Sequence, residues 1–256
     1  MSDSTSKSLD ILGVKPIGDA VKVATESTFA GASAFLSRIC LPAAEEFGLL
    51  LKDRVSHWRA SNAARIAEMA EAKLQARAVA RVQAHPRLVF EVIEKGSWTD
   101  DDTFQKAWAG ILASSCSDDG KDDSNIIFTS LLSQLTGTQL RILNYAVETA
   151  PKWVSQGGLP YADGITLNVA ELTQITNISD IHRLDLEMEH MRALELLHTF
   201  GSGFDLADCL ATIQITSLAL HLFVRGQGYV GSPVEYFGLK PNPSGDGHTS
   251  RSFLVA

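Results

Sequence analysis

Cysteine, aromatic residues and positive charge are all scarce in this sequence. Its 256 residues include three cysteines, and aromatic residues make up 7% of the chain. A disulfide-stapled mini-protein would be shorter and richer in cysteine, so we expect Cys40, Cys116 and Cys209 to be small buried residues in a reducing cytosol. Lysine and arginine number 22 against 30 acidic residues, which gives a formal charge of −8. That balance excludes a strongly basic nucleic-acid-binding protein.

Long hydrophobic runs are also missing. The chain begins with the polar residues MSDSTSKSLD, and no pattern typical of a signal peptide follows them. The uncharged stretches 27–37 and 210–220 reach about half of the ~20 residues that a transmembrane helix needs. Because 45% of the residues are hydrophobic, we expect a globular protein of one or two domains. We place it in the cytoplasm, free or peripheral to the inner membrane.

Charge is distributed unevenly along the chain. Residues 1–99 contain 13 Lys/Arg and 11 Asp/Glu, whereas residues 100–256 contain 9 and 19. The segment from Lys52 to Arg81 is the most basic, with seven basic and three acidic residues. Such a segment can meet an anionic membrane, nucleic acid, or an acidic part of this chain or of a partner, or it can be a packed helix with one solvated side. The residues selected here as a candidate interaction face are Trp58, Arg59, Arg65, Arg77 and Arg81.

The spacing of apolar residues predicts a mainly α-helical fold with a modular order. Residues 1–9 are expected to be disordered, and residues 10–84 to form a region of long helices. A small helical domain follows over residues 85–136, and then a winged-helix-like module over residues 137–230 with a short β-hairpin. Residues 239–256 are rich in Pro, Gly and Ser, which is typical of a flexible tail.

Two helices are predicted in the N-terminal region. One carries a small-residue stripe from Ile17 to Phe35, and the other runs from Pro42 to about Ala84. Ser61 and Asn62 are candidates for an interruption of the second helix, because their side chains compete for backbone hydrogen bonds. His85-Pro86 ends it, since the residue before proline avoids helical geometry.

The winged-helix interpretation depends on the order of elements after the glycine-rich connection QGGLPYADG. A short helix, Val169 to Ile175, precedes a longer one, Asp180 to His198. A glycine-bearing segment, the strand Ala211 to Thr216 and a closing helix, Leu218 to Arg225, complete the module. The longer helix has two arginines against five acidic residues, a net charge of −3. That charge opposes DNA binding, because a DNA-reading helix faces phosphates.

Two Glu-x-x-His motifs resemble the ligands of di-iron centres. Glu187 and His190, and Glu195 and His198, each share a helix face. A di-iron site needs such motifs on different helices, whereas both motifs lie on one helix here. We therefore interpret them as a solvated acidic face and expect no metal.

Three further patterns have structural interpretations. Asp100 to Asp102 fits a helix N-terminus, and Asp118 to Asp123 lacks the ligand spacing of an EF-hand loop. The pattern Gly226-x-Gly228-x-x-Gly231 matches a dinucleotide fingerprint in letters, but it follows a helix rather than a strand. No catalytic motif is present, so we expect a protein that is not an enzyme and has no cofactor.

Three stretches of the chain point to a family. They are TDDDTFQKAWAGILASSCSD, FTSLLSQLTGTQLRIL and TIQITSLALHLFVR. Through them, the segment from about His85 to Arg225 resembles the abortive infection alpha family of bacterial proteins linked to phage resistance. The resemblance implies a non-enzymatic phage-defence protein that acts on a protein partner or a second copy of itself, or at a membrane surface. The alternatives are a winged-helix DNA-binding regulator and a membrane-perturbing effector that uses residues 10–58.

Overall fold

The computed structural model describes residues 28–42, 45, 54–77, 82–205 and 210–240. Within them the chain is mainly helical, which confirms the predicted fold class. The predictions for residues 1–9, for the stripe up to residue 27 and for residues 241–256 lie outside the described residues, as do Arg81 and Cys209. The described residues form two compact units: one reaches Ser133 and includes Gly226–Gly228, and the other comprises Gln134–Arg225 and residues 229–240.

The first unit is built from helices and one short strand pair. Its helices are α1 (residues 28–39), α2 (Arg54–Ala76), α3 (Pro86–Gly96), α4 (Asp102–Ser114) and α5 (Ile126–Leu132). Strands β1 (Gln83–Ala84) and β2 (Cys116–Ser117) pair in an antiparallel direction. Helix α2 packs most extensively on α4, and its buried face consists largely of alanines, whose small side chains favour close helix packing. The fully buried alanines of α2 are Ala60, Ala63, Ala64, Ala67 and Ala70.

Helix α2 differs from its prediction at two places. It ends at Ala76 rather than near Ala84, because Gln83 and Ala84 form β1 and pair with β2. It is not interrupted at Ser61-Asn62. The buried Asn62 side chain donates to the Ser97 carbonyl oxygen at 3.0 Å, so its amide bonds a neighbouring element instead of competing for the helix backbone.

The second unit combines five helices with two small sheets. Its helices are α6 (Gly137–Thr149), α7 (Val169–Thr176), α8 (Ile181–Ala193), α9 (Ser217–Gly226, up to Arg225 in this unit) and α10 (Pro233–Tyr236). Its strands are β3 (Lys152–Val154), β4 (Pro160–Ala162), β5 (Ile165–Asn168), β6 (Gly203–Asp205) and β7 (Leu210–Ile213). Strands β3 and β4 form a hairpin, and β7 lies between β5 and β6 in an antiparallel sheet.

Helices α7 and α9 lie where their apolar spacing predicts them, whereas α8 ends at Ala193 rather than at His198. Strand β7 begins one residue earlier than predicted and ends at Ile213. The hairpin β3–β4 and strand β5 were not predicted, and the supposed glycine-rich connection contains the turn and second strand of that hairpin. The winged-helix interpretation of the module stays a prediction.

Candidate interaction surface

Two exposed tryptophans lie against each other on the first unit. Trp58 is on α2 and Trp98 is in the turn after α3, and their ring centroids are 6.5 Å apart. Trp58 is 39% exposed and Trp98 is 56% exposed. Tryptophan is enriched among the residues that contribute most to protein–protein binding, so a pair of this kind in water is a candidate contact site. We call Trp58, Trp98 and the adjoining Arg59 the tryptophan surface.

Arg59 fixes Trp98 in place. Its guanidinium carbon lies 4.3 Å from the centre of the Trp98 ring, within the range of a cation–π contact. Its Nε donates to Ser97 Oγ at 3.0 Å, and its Nη2 donates to Glu94 Oε2 at 2.7 Å and to the Glu94 carbonyl oxygen at 3.3 Å. The Arg59 side chain is only 13% exposed. It therefore supports the ring and is not a free surface cation.

The turn that carries Trp98 is held by hydrogen bonds from two buried side-chain amides. Besides the bond from Asn62 to Ser97, Gln105 Nε2 donates to the Thr99 carbonyl oxygen at 3.0 Å and to Asn62 Oδ1 at 3.3 Å. Just before the turn, a side chain on Gly96 would begin 2.9 Å from Ile66 Cδ1, so the end of α3 lies close to α2. Trp98 is consequently positioned in the absence of any partner, which reduces the entropy lost on binding.

Two of the other selected arginines, Arg65 and Arg77, are bonded to other groups of the unit. Arg65 Nη2 is 2.7 Å from Asp102 Oδ1. Arg77 Nη1 donates to the carbonyl oxygens of Ala113 at 3.1 Å and Gly228 at 3.4 Å. Of the candidate face, the structure brings together only Trp58 and Arg59 and adds Trp98, which the sequence analysis missed. The one available signal was a tryptophan directly after a Gly-Ser helix end.

Several carboxylates lie near the tryptophan surface, and most of them have bonding partners. Glu94 and Asp100 are exposed, whereas Asp101 accepts hydrogen bonds from the backbone N–H groups of Thr103 and Phe104, as predicted for a helix N-terminus. The side-chain hydrogen bond from Lys106 holds the pKa of Asp102 below its ordinary value. Glu94 pairs with Arg59, and Asp102 pairs with both Arg65 and Lys106, so neighbouring cations offset much of this negative charge.

The first Glu-x-x-His motif is part of a buried hydrogen-bond network. Glu187 is 4% exposed, so the prediction of a solvated face is wrong for this residue. Its carboxylate accepts from Thr136 Oγ1 at 2.7 Å and from Arg183 Nε at 3.1 Å. Gln139 Nε2 donates to the Glu187 carbonyl oxygen at 3.2 Å and lies 2.9 Å from His190 Nδ1. The motif thereby joins α8 to the beginning of α6.

The second motif and the acidic loop do not converge on a common centre. Glu195 and His198 lie beyond the end of α8, and Glu195 is exposed with a φ of 58°, so the prediction that they share a helix face is wrong. The backbone N–H of His198 donates to the Gln214 carbonyl oxygen. In the acidic loop, Asp119 and Asp122 accept hydrogen bonds from nearby backbone N–H groups. Among the described residues, no group of three or more His, Cys, Asp or Glu side chains is placed to hold a metal ion.

Two other sequence features have structural roles. Cys40 and Cys116 are buried free thiols, and burial raises the pKa of Cys116 to about 12, far above the range of reactive thiolates. At the supposed dinucleotide fingerprint, Gly226 approaches α4 so closely that a side chain on Gly110 would start 1.6 Å from the Gly226 carbonyl oxygen. The close packing therefore requires a glycine at position 110, whereas a side chain on Gly226 would meet Ala107 at an ordinary 3.8 Å.

These features define a mainly helical protein of two compact units, with a fixed aromatic surface on the first. No helix in the described part of the chain is long and apolar enough to cross a membrane. The family model for abortive infection alpha matches residues 61–208, more than half of the chain. The chain therefore belongs to the abortive infection alpha family, which confirms the resemblance and links it to abortive infection. No curated protein and no solved structure matches it.

Proposed function

We propose that this protein acts in phage defence as a non-enzymatic binding protein that recognises another protein through the tryptophan surface. Family membership supports the defence role. The observation that supports the mode of action is the fixed position of Trp98, whose exposed ring rests on the Arg59 guanidinium at 4.3 Å. A rigid tryptophan next to an arginine is typical of the centre of a protein interface.

The charge of the rim favours a protein partner over a membrane. Anionic lipid headgroups attract surfaces that carry free lysines and arginines. Around the tryptophan surface, Arg59 is bonded to Ser97 and Glu94. Arg65 and Lys106 pair with Asp102, and Asp100 is exposed, so the nearby cations are engaged within the protein. A partner segment with an apolar side chain and a nearby cation fits this arrangement better than an anionic bilayer.

The second unit supports the same conclusion. Its order β5-α7-α8-β6-β7, with β7 between β5 and β6, is compatible with a winged helix. Its helix α8 and flanking residues 180–198 have a net charge of −3, which repels a polyanion. We therefore propose that this module does not bind DNA. A gel-shift series with genomic fragments at low and moderate salt should detect no complex.

The defence assay can test the tryptophan surface directly. The full chain is expressed in a phage-sensitive bacterium, and plaque counts are compared for the wild type, Trp98→Ala and Trp58→Ala. Truncating a central interface tryptophan costs about 2 kcal/mol or more, about 30-fold in affinity, so both variants should lose protection. The matched control is Trp153→Ala, because Trp153 is also 39% exposed but stacks on Tyr161 in the second unit.

Three results bear on the proposal. Protection by the wild type and by Trp153→Ala, with loss in both surface variants, supports it. Undiminished protection by Trp98→Ala, at wild-type expression and melting temperature, contradicts the role of the tryptophan surface. Plaque counts that never change with the wild type across diverse phages contradict the defence role itself.

A further inference from the structure

The second unit displays a single aromatic ring almost completely in water. Phe200 is 93% exposed, the highest value among the large hydrophobic side chains that the structure describes. It lies between α8 and β6 in residues 198–203, which we call the Phe200 turn. Exposure of a whole phenyl ring is unfavourable in water, which makes Phe200 a candidate contact residue if its turn is held in place.

The Phe200 turn is fixed at both ends by hydrogen bonds. The backbone N–H of His198 donates to the Gln214 carbonyl oxygen at 2.9 Å, before the ring. After the ring, Arg192 Nη1 donates to the Ser202 carbonyl oxygen at 2.6 Å, and the backbone N–H of Gln214 donates to Ser202 Oγ at 3.0 Å. Because the turn is bonded on both sides, a partner would meet the ring in a defined position.

Backbone geometry at the turn also requires particular residues. Gly201 has a φ of 104°, and a side chain there would begin 2.7 Å from Gln214 Oε1. Gly203 has a φ of 149°. Glycine adopts such angles without the steric cost that other residues incur. The local sequence FGSG therefore builds a tight turn that points one large apolar residue outward.

The charge around the turn selects the kind of partner. Two exposed acidic residues flank the turn along the chain, Glu195 before it and Asp205 after it, and α8 contributes two arginines. Both arginines are engaged within the unit: Arg183 pairs with Glu187, and Arg192 bonds Ser202 and Glu189. Glu195, at the start of the connection that leads to the turn, is exposed. A polyanion would be repelled by this surface, whereas a cationic protein surface would be attracted.

We propose that the Phe200 turn is an anchor that inserts its ring into an apolar pocket of a partner protein whose rim carries lysine or arginine side chains facing Glu195. This contact is separate from the tryptophan surface and does not depend on the outcome of the defence assay. Burial of a rigid ring supplies the apolar part of the binding, and Glu195 supplies the charge preference.

Photo-crosslinking in living cells tests the proposal with the full chain. Phe200 is replaced by benzoylphenylalanine, which retains the phenyl ring, and adducts formed on irradiation are identified by mass spectrometry with and without phage. The matched control places the same residue at Leu159, which is 58% exposed in the same unit. A second variant adds Glu195→Lys, which keeps a non-glycine residue at the same backbone angle and reverses its charge.

The expected result is an adduct with one identified protein at position 200 and not at position 159. Its crosslinked region should be an apolar pocket with a basic rim, and the adduct yield should fall severalfold with Glu195→Lys. The proposal is overturned by no adduct above the position-159 control, by adducts with nucleic acid or lipid, or by a yield that Glu195→Lys leaves unchanged. If the adduct forms but expression of the wild-type chain never changes the plaque counts, the defence role is contradicted and the proposed Phe200 contact remains supported.

Discussion

The guanidinium carbon of Arg59 lies 4.3 Å from the centre of the Trp98 ring. The same guanidinium donates to Ser97 Oγ and Glu94 at the end of α3. One side chain of α2 thus secures the end of α3 and orients the ring that follows it. The contacts of Arg59 therefore link the stability of the first unit to the fixed position of Trp98 in the tryptophan surface.

Removal of Arg59 should destabilise the protein. Arg59→Ala deletes the cation–π contact and the hydrogen bonds to Ser97, and we expect the free energy of unfolding to fall by about 2 kcal/mol. The exposed Glu94 partner contributes little to this value. Urea denaturation followed by tryptophan fluorescence measures the change. Arg87→Ala is the control, because Arg87 is exposed on α3, and should change stability by less than about 0.5 kcal/mol. Equal effects of the two substitutions would contradict the supporting role of Arg59.

Two capping residues should differ in their contributions to stability. Thr136 and Asn168 each form a capping box at the start of a helix, α6 and α7. Thr136 Oγ1 also donates to the buried Glu187 carboxylate at 2.7 Å, whereas the bonds of the Asn168 capping box are local and exposed. Asn168→Ala should cost about 1 kcal/mol, and Thr136→Ala about 1–2 kcal/mol more, because it leaves a buried carboxylate oxygen without this donor.

A double-mutant cycle separates the cap from the tertiary bond. Thr136→Ala, Glu187→Ala and the double variant are unfolded in urea, and the coupling energy is calculated from the four stabilities. We expect a coupling of about 1 kcal/mol or more. Additive effects would show that Thr136 acts only as a local cap.

Local sequence patterns account for the helices of the second unit but not for its hairpin. Helices α7 and α9 extend only one residue or so beyond their predicted ends, because apolar spacing and caps are encoded in adjacent residues. Strands β3 and β4 have three residues each, too few for a visible alternation. Their pairing is stabilised by Trp153 stacked on Tyr161 at 4.8 Å, a contact across the hairpin. Such pairs become visible only once the register is known.

The candidate site could be predicted only in part, for a similar reason. Trp58 and Arg59 are adjacent in a basic segment, so composition selects them. Trp98 joins them only because α3 packs against α2, and its support by Arg59 links residues far apart in the sequence. Likewise, Arg59 and Arg65 look like free cations in the sequence, but each pairs with a carboxylate 35 or 37 residues away. The spacing of residues in the sequence does not reveal that the charges of these arginines are neutralised by distant carboxylates.

Stability should decrease as the solution becomes mildly acidic, partly through His221. Burial lowers the pKa of this α9 histidine below 6.5, and the charge of Arg225 lowers it further. The neutral ring is thus favoured in the folded state, so its contribution is complete above pH 6.5 and is lost as the pH falls towards the lower pKa of the folded state. Urea unfolding from about pH 8 to about pH 5.5 should show a steeper loss for the wild type than for His221→Gln. Parallel curves would contradict this assignment.

The same substitution at two glycines of the first unit should have opposite effects. A side chain on Gly110 would begin 1.6 Å from the Gly226 carbonyl oxygen, and the obstacle is backbone, which cannot move without disturbing its neighbours. Gly110→Ala should therefore lower the free energy of unfolding by about 3 kcal/mol. Around Gly31, within α1, no atom of the described residues outside the helix's own backbone and the two chain neighbours lies within 4 Å of the added side chain. Gly31→Ala should raise stability by up to about 1 kcal/mol, because alanine loses less backbone entropy in a helix. Thermal and urea unfolding of both variants measure the contrast, and a stable Gly110→Ala protein would contradict the close approach of Gly226 to α4.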